Sequence, residues 1–351
     1  MSIASFSTIA FFVISALGAD EDDLLFQGLD GISGIYSEVI ESLNLVKGQV
    51  VRRTNIPATI DIDQLRALAS LFESKFDEIT LIYNYMRSYA IRRNKDGVAE
   101  IMKIHDNESY SFIYMTSDAR FYADQIRRYG DSSKRQRFRF VHTFNGVDSF
   151  YFTEDPSYGH INRGRDVINS FPRYLSSCGI PDRASPSDVN IITIVLSSDT
   201  AKIQPFMQEV DGHQCIVLTA DNGEYTYWIE VDDKVFKLRR RVHFSTRPAF
   251  GRPNLASIVM FSDHREISPN VSIPFSIRSQ FYWCPKNGDD ANSCTGKQSG
   301  WSRMSLISAR LGPIPESAFE IQFPVGTHVN DKIRNTQYRV GEGAKELPLN
   351  N

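Results

Sequence analysis

The strongest constraint on the fold is an alternation of apolar and polar residues with a period of two, which runs through most of the chain after Glu78. Side chains of a β-strand point to opposite faces in turn, so this pattern predicts strands with one covered and one wet face. Turn-rich stretches such as Asn94-Lys95-Asp96-Gly97 separate the segments, and short turns join antiparallel strands. The clearest segment is VSIPFSIRSQFYW, whose apolar face carries Val271, Ile273, Phe275, Ile277, Phe281 and Trp283.

The pattern as a whole predicts a mainly β protein built as an antiparallel meander. An aromatic content of 12% also favours strands over helices. Residues 172–198 interrupt the strand pattern and predict a helical insertion near the centre of the chain. The predicted strands are Ile79–Arg92, Tyr110–Thr116, Arg120–Arg128, Arg135–Phe144, Ser149–Thr153, Cys215–Thr219, Glu224–Val231, Val235–Phe244, Ser257–Asp263, Val271–Trp283, Met304–Leu311 and Phe319–Phe323.

One amphipathic helix of about four turns precedes the strands. Asp61 or Asp63 is suited to cap its first turn, because a carboxylate accepts hydrogen bonds from free backbone N–H groups there. We expect this helix to cover the sheet. Its apolar residues at helical spacing are Leu65, Leu68, Leu71, Phe72 and Phe76.

The N-terminus has the composition of a secretory signal peptide. An uncharged run over 3–17 is followed by Gly18-Ala19 and then by four acidic residues, 20–23. A buried N-terminal helix and a membrane anchor are the alternatives. The predicted organisation is a signal peptide at 1–19, an N-terminal segment at 20–61, a curved-sheet domain at 62–340 and a tail at 341–351. A periplasmic or secreted location follows from this prediction.

Four cysteines fit an oxidising compartment. Cys284 and Cys294 bracket the polar turn CPKNGDDANSC, which predicts a disulfide that closes a hairpin loop. Cys178 and Cys215 are either a second pair or buried free thiols. No C-x-x-C motif and no histidine at ligand spacing indicates a metal site, and no cofactor is expected.

No sequence motif indicates an enzyme or a nucleic-acid-binding protein. The chain lacks H-E-x-x-H, G-x-S-x-G, G-x-x-x-x-G-K and G-x-G-x-x-G, so we expect no catalysis. A net charge of −3 gives no global attraction to polyanions. Residues 87–139 are locally basic, with 12 Lys and Arg against 7 Asp and Glu. This excess of positive charge is typical of a solvated sheet face, and it would also attract an anionic lipid or an acidic protein partner.

The segment EYTYWIEVDDKVFKLRRRVHF predicts a hairpin with an apolar face. Counting by twos along its second strand places Arg240 in that apolar row, and Arg239 and Arg241 on the opposite face. Arg240 is then either ion-paired or extended to the sheet edge, or it lines an apolar concavity and binds a lipid headgroup or a carbonyl. A β-bulge at the arginines would reverse the faces from Arg240 onward. The apolar residues expected beside it are Tyr225, Tyr227, Phe236 and Leu238.

Three stretches of the sequence resemble a known family. They are FVHTFNGVDSFYF (140–152), EYTYWIEVDDKVFKLRRR (224–241) and FEIQFPVGTHVND (319–331). With the order of elements, they resemble the periplasmic lipoprotein-carrier superfamily typified by LolA, with LolB and RseB as relatives. The likeness covers roughly 62–340.

The resemblance implies an open, strongly curved antiparallel sheet wrapped around helices, with an apolar concave face that holds acyl chains. It also implies that Arg120 matches the arginine that helps to hold the lid of the carrier closed. The expected ligand is a lipid or an acylated lipoprotein, and contact with a membrane is peripheral. An envelope interaction or sensor module with a filled core is one alternative, and a hydrolase without a recognisable motif is another.

Overall fold

The computed structural model describes residues 52–57, 60–95, 98–129, 136–154, 156–164, 173–181, 191–220, 225–232, 235–245, 254–282, 298–341 and 347–348. The predicted signal peptide and the loop between Cys284 and Cys294 lie outside these residues. Export and the disulfide therefore stay predictions, as do the domain boundaries.

Strands dominate the described part of the chain. The three helices there are α1 (Ile62–Glu73), α2 (Arg173–Ser177) and α3 (Ile191–Ser197), and a 3-10 turn spans Glu316–Phe319. The strands are β1 (Arg52–Pro57), β2 (Glu78–Lys95), β3 (Val98–Thr116), β4 (Phe121–Tyr129), β5 (Gln136–Phe144), β6 (Asp148–Thr153), β7 (Tyr158–Arg163), β8 (Lys202–Ile203), β9 (Phe206–Val210), β10 (His213–Ala220), β11 (Tyr225–Asp232), β12 (Val235–Ser245), β13 (Asn254–Ser268), β14 (Val271–Tyr282), β15 (Gln298–Leu311), β16 (His328–Asp331), β17 (Thr336–Arg339) and β18 (Leu347–Pro348).

The strands form one large open sheet. They pair in the order β1-β9-β10-β11-β12-β13-β14-β15-β2-β3-β4-β5-β6-β7-β16-β17-β18, and β8 shares an edge of β10 with β9. All pairs are antiparallel except β7 with β16. No pairing within the described residues joins β1 to β18. The predicted class, a mainly β protein with a curved open sheet, is confirmed.

The helices all lie on the concave face of this sheet. A single apolar cluster unites residues of α1, α2 and α3 with inward-facing residues from β10 through β15 and from β2 through β5. A few short helices can contact that many strands only if the sheet curves around them. We call this cluster the helix-covered core.

The first helix begins where the sequence predicts and ends earlier. Asp61 accepts a hydrogen bond from the backbone N–H of Gln64, whose side chain accepts one from the Asp61 N–H, so a capping box starts α1. The helix ends at Glu73, so Phe76 is buried beyond it rather than within it. Leu71 is 49% exposed, so it points away from the sheet.

The two short helices lie within residues 172–198. Gly179 follows α2 with a φ of +88°, and a Cβ at this position would lie 2.9 Å from the Phe72 ring. Only glycine therefore lets the turn after α2 pack this closely on α1. No described helix is long and apolar enough to cross a membrane.

One predicted strand is wrong, and several strands were not predicted. Phe319–Phe323 is not a strand, because the 3-10 turn ends at Phe319 and the following residues are extended without pairing. The chain instead pairs His328–Asp331 in parallel with β7, which the sequence analysis also missed. The β2–β3 hairpin is longer than predicted, because its strands continue to Lys95 and from Val98.

Candidate functional site

The apolar site residues predicted on β11 and β12 come together on the concave face, in or beside the helix-covered core. Tyr227, Phe236 and Leu238 are at most 1% exposed. The Phe236 ring lies 5.8 Å from the ring of Phe72 on α1. Side chains of α1 thus occupy the hollow that the resemblance implied, and the core is filled in this conformation.

Tyr225 lies at the border of the same cluster and is half-buried. Its ring stacks on His243 of β12, with centroids 4.5 Å apart and planes 8° apart. The ring of Tyr227, two residues further along the strand, also stacks on it, at 6.3 Å between centroids. Tyr225 therefore packs at the border of the core, between Tyr227 and His243.

The predicted orientation of Arg240 is wrong, because a β-bulge interrupts β12. Trp228 pairs with Arg240, but the next residue of β11, Ile229, pairs with Leu238. Arg239 is the extra residue, so the alternation reverses after it. The Arg240 guanidinium lies over the Trp228 ring on the convex face, 5.0 Å from the centroid, and not in the concavity.

Arg241 faces the concave side, so its predicted position on the opposite face is wrong. It pairs with Tyr227 across the strands and donates from Nη1 to Ser177 Oγ of α2, at 2.6 Å. It therefore fastens α2 to the sheet. The only signal for it in the sequence was the run of three arginines, in which a bulge can occur at any position.

Arg120 lies at the end of the sheet, just before β4. It forms an ion pair with Asp118 at 2.8 Å and a second one with Glu316. Its guanidinium also lies over the ring of Phe319, 5.0 Å from the centroid. Arg120 thus holds the 3-10 turn against the β3–β4 turn, and its described contacts do not include α1.

A small cavity lies on the concave face, beside the helix-covered core. Its volume is about 120 Å³, and we call it the aromatic bay. Its walls come from one face of three adjacent strands, β4, β5 and β6. They are Ala123, Gln125, Arg127, Phe140, His142 and Tyr151.

Contacts between aromatic rings, and the guanidinium of Arg127, hold the side chains of the aromatic bay in place. Arg127 lies over the Phe140 ring at 5.2 Å and donates to Gln125 Oε1 from Nη2 at 2.6 Å. The Tyr151 ring lies 6.3 Å from Phe140 and 5.6 Å from His142. The bay therefore presents apolar ring faces with a positive charge at one side.

Tyr83 lies in the same cross-strand row as Gln125 and Phe140 of the aromatic bay. Burial raises its pKa to about 12, although a hydrogen bond with Gln125 acts in the opposite direction. The phenol is therefore neutral at physiological pH. Across β2 from Ser111, the row continues through Leu306 into the apolar core. The aromatic bay and the helix-covered core are thus neighbouring parts of one concave surface.

A cluster of titratable groups lies on the convex face of β10 to β13. Arg239 binds Glu230 through Nε at 2.6 Å and approaches Nδ1 of His264 at 3.0 Å and of His213 at 3.3 Å. Burial opposes the charge of Glu230, but the hydrogen bond and charge of Arg239 outweigh it and lower the pKa. Cys215 lies nearby, and burial raises its pKa to about 12. The thiol is therefore protonated, which gives this cluster no nucleophile.

A second concavity runs along α3. Its volume is about 430 Å³, and its described walls all belong to α3 and the residue after it. Among the described residues, no group of three His, Cys, Asp or Glu side chains is placed to hold a metal ion.

Solved structures that are similar to this chain include two bacterial proteins. A LolA superfamily protein from Nitrosomonas europaea is 12% identical with a TM-score of 0.34, and the match covers 75% of this chain and 99% of that one. An outer membrane lipoprotein-sorting protein domain from Vibrio parahaemolyticus is 8% identical with a TM-score of 0.36, covering 72% of this chain and 95% of that one. No protein-family model and no curated protein matches the sequence.

Proposed function

We propose that this chain binds the acyl chain of a lipid or of an acylated lipoprotein between α1 and the concave face of the sheet, without catalysis. The observation that carries the proposal is the way in which α1 is held. Its polar contacts within the described part of the chain reach α3, where Arg66 donates to the Leu196 carbonyl at 2.7 Å and Glu73 accepts from Thr193 at 2.9 Å. It contacts the sheet through Leu65, Ala69 and Phe72.

An acyl chain is able to replace such contacts because both interactions use the same driving force. Apolar burial is not directional, and each CH₂ removed from water contributes about 0.8 kcal/mol. The sheet loses little when Phe72 is exchanged for a methylene chain of similar volume. The hydrogen bonds between α1 and α3 remain intact if the two helices move together.

The aromatic bay gives the polar end of the ligand a place beside this apolar surface. A lipid carboxylate or phosphate there meets the Arg127 guanidinium, and the first methylenes lie against the ring of Phe140. The chain then continues past Ala123 into the helix-covered core. Arg127 rather than Arg240 is the cation that this proposal assigns to the ligand.

The test is the binding of a fluorescent long-chain fatty acid, measured below its micellar concentration, together with lipid mass spectrometry of natively purified protein. Arg127→Gln should weaken binding about tenfold, the effect of one lost charge-assisted hydrogen bond. Arg128→Gln is the matched control, since Arg128 is the next residue on β4 and faces the convex side. If the wild type binds no probe and carries no lipid, the proposal is wrong.

A second candidate, a protein-interaction module of the cell envelope, is favoured by the filled core. Within the described residues, the Phe72 ring of α1 packs against Phe236 of the sheet inside the helix-covered core. Absence of lipid and of probe binding in the same experiment would support this candidate. An exported location rests on the predicted signal peptide, and N-terminal sequencing of protein recovered from its host tests it.

A further inference from the structure

A row of arginines crosses the convex face of the sheet, on the side away from the proposed acyl site. Neighbouring strands pair residue by residue along this row from β11 to β5. It holds five arginines and a single carboxylate. In spatial order its members are Trp228, Arg240, Met260, Arg278, Arg303, Met86, Glu108, Arg128 and Arg137.

The row lies across strands that are far apart in sequence, so no local run of basic residues reveals it. Arg240 and Arg137 are seven strand spacings apart, which corresponds to about 34 Å along the curved sheet. We call this surface the convex arginine row.

Most of the positive charge in this row lacks an ionic partner. Arg278, Arg303 and Arg137 are exposed, and no carboxylate in the described part of the chain forms an ion pair with them. Arg128 alone has one, with Glu108 at 3.5 Å. Arg240 is 7% exposed, and its Nε and Nη1 have no hydrogen-bond partner. Since Arg240 is buried, the surface part of the row runs from Arg278 to Arg137 and carries four arginines against one carboxylate, which makes it net positive although the whole chain is slightly acidic.

Two pairs of arginines in the row face each other directly. Arg278 is the cross-strand partner of Arg303, and Arg128 is the partner of Arg137. Like charges at directly opposed positions destabilise a sheet. An anion between each pair would remove this repulsion, and a regular series of anions would do so along the row.

The residues between the arginines indicate which anionic surface fits. Met86 and Met260 are half-buried, so part of each flexible apolar side chain reaches the surface between the charges. The strands that carry Arg278 and Arg303 are hydrogen-bonded on both edges, which prevents a partner from adding a strand there. Contact with a partner is therefore made by side chains alone.

We propose that the convex arginine row, centred on Arg278 and Arg303, is a docking surface for a bilayer that contains anionic phospholipids. The phosphates of such a surface supply many negative charges at short spacing, and the methionines enter the headgroup layer between them. Arg278 and Arg303 make the first contact, because the strands on either side curve away from a flat surface. The proposal does not require that the concave face binds an acyl chain.

The test is sedimentation of the full chain with vesicles of phosphatidylcholine alone or of an equimolar mixture with phosphatidylglycerol. We expect binding to the mixed vesicles only. The Arg278→Gln/Arg303→Gln variant should lower the partition coefficient about 25-fold, since each basic residue near an anionic surface contributes about fivefold. The Arg278→Lys/Arg303→Lys variant keeps both charges and should bind like the wild type.

Arg163→Gln/Arg334→Gln is the matched control, because it removes the same charge from two exposed positions outside the row, one on β7 and one in the turn between β16 and β17. It should bind mixed vesicles like the wild type, and thermal unfolding verifies that each variant is folded. Equal loss in the control would show that only net charge matters and would overturn the assignment. So would failure of the wild type to bind mixed vesicles, or arginine-dependent binding of duplex DNA in its place.

Discussion

The buried histidine of the convex cluster predicts a loss of stability in mild acid. Burial, together with the charge of Arg239, lowers the pKa of His264 to about 3. In the unfolded chain its pKa is near 6.5. Between these two values the unfolded chain binds a proton that the folded protein excludes, so the free energy of unfolding falls as the pH falls.

The size of the effect follows from the two pKa values. At pH 5 the proton taken up by the unfolded chain stabilises it by about 2 kcal/mol relative to neutral pH. Glu230 does not add to this loss. Its pKa is lowered below the ordinary value of 4.5, so the stability that it contributes is lost only below that pH.

The experiment compares urea unfolding of wild type and His264→Gln at neutral pH and near pH 5. Glutamine can still accept a hydrogen bond from Arg239, but it does not titrate. We expect the variant to lose about 2 kcal/mol less than the wild type on acidification. His328→Gln, at an exposed position on β16, is the control and should keep the wild-type response. Equal acid sensitivity of His264→Gln and wild type would refute the argument.

Three further predictions concern the packing around α1 and the cysteines. In urea titrations, Phe72→Ala should lower the free energy of unfolding by about 3–5 kcal/mol, because Phe72 is buried. Leu71→Ala should lower it by less than about 1 kcal/mol, because Leu71 is exposed. Similar losses for the two variants would mean that α1 is rotated about its axis from the orientation described. Asp61→Ala should cost about 1 kcal/mol in the same assay, and no loss would contradict the capping box. Burial raises the pKa of Cys178 well above its usual range and that of Cys215 to about 12, so mass spectrometry should find both alkylated by iodoacetamide only in urea. Labelling of either in the folded protein would show that it is accessible.

The sequence was sufficient where structure is local. The alternation of apolar and polar residues identified most strands between Glu78 and Leu311, because one face of each strand is covered and the other is not. The helix start was also predicted to within two candidate caps, Asp61 and Asp63, and the structure shows Asp61 as the cap. Burial of Tyr227, Phe236 and Leu238 followed from the same alternation.

The sequence could not predict those parts of the site that depend on how neighbouring strands are aligned with each other. One extra residue at Arg239 moves every later side chain of β12 to the other face, and three successive arginines give no sign of which one is extra. The aromatic bay and the convex arginine row also depend on cross-strand neighbours. Arg303 and Met86 are adjacent only because β15 pairs with β2. Counting by twos along one strand carries no information about such a pairing.

The pairing of β15 with β2 also has a consequence for how the chain acquires its structure. These two strands lie near the middle of the sheet, yet about 200 residues separate them along the chain. Until β15 has been synthesised, the edge of β2 has no partner and presents a long row of free N–H and C=O groups. Closing so distant a contact is slow, and an unpaired edge of this length invites association with other chains. We therefore expect refolding to be slow and to give aggregates at high protein concentration, and a truncation before residue 298 to be insoluble.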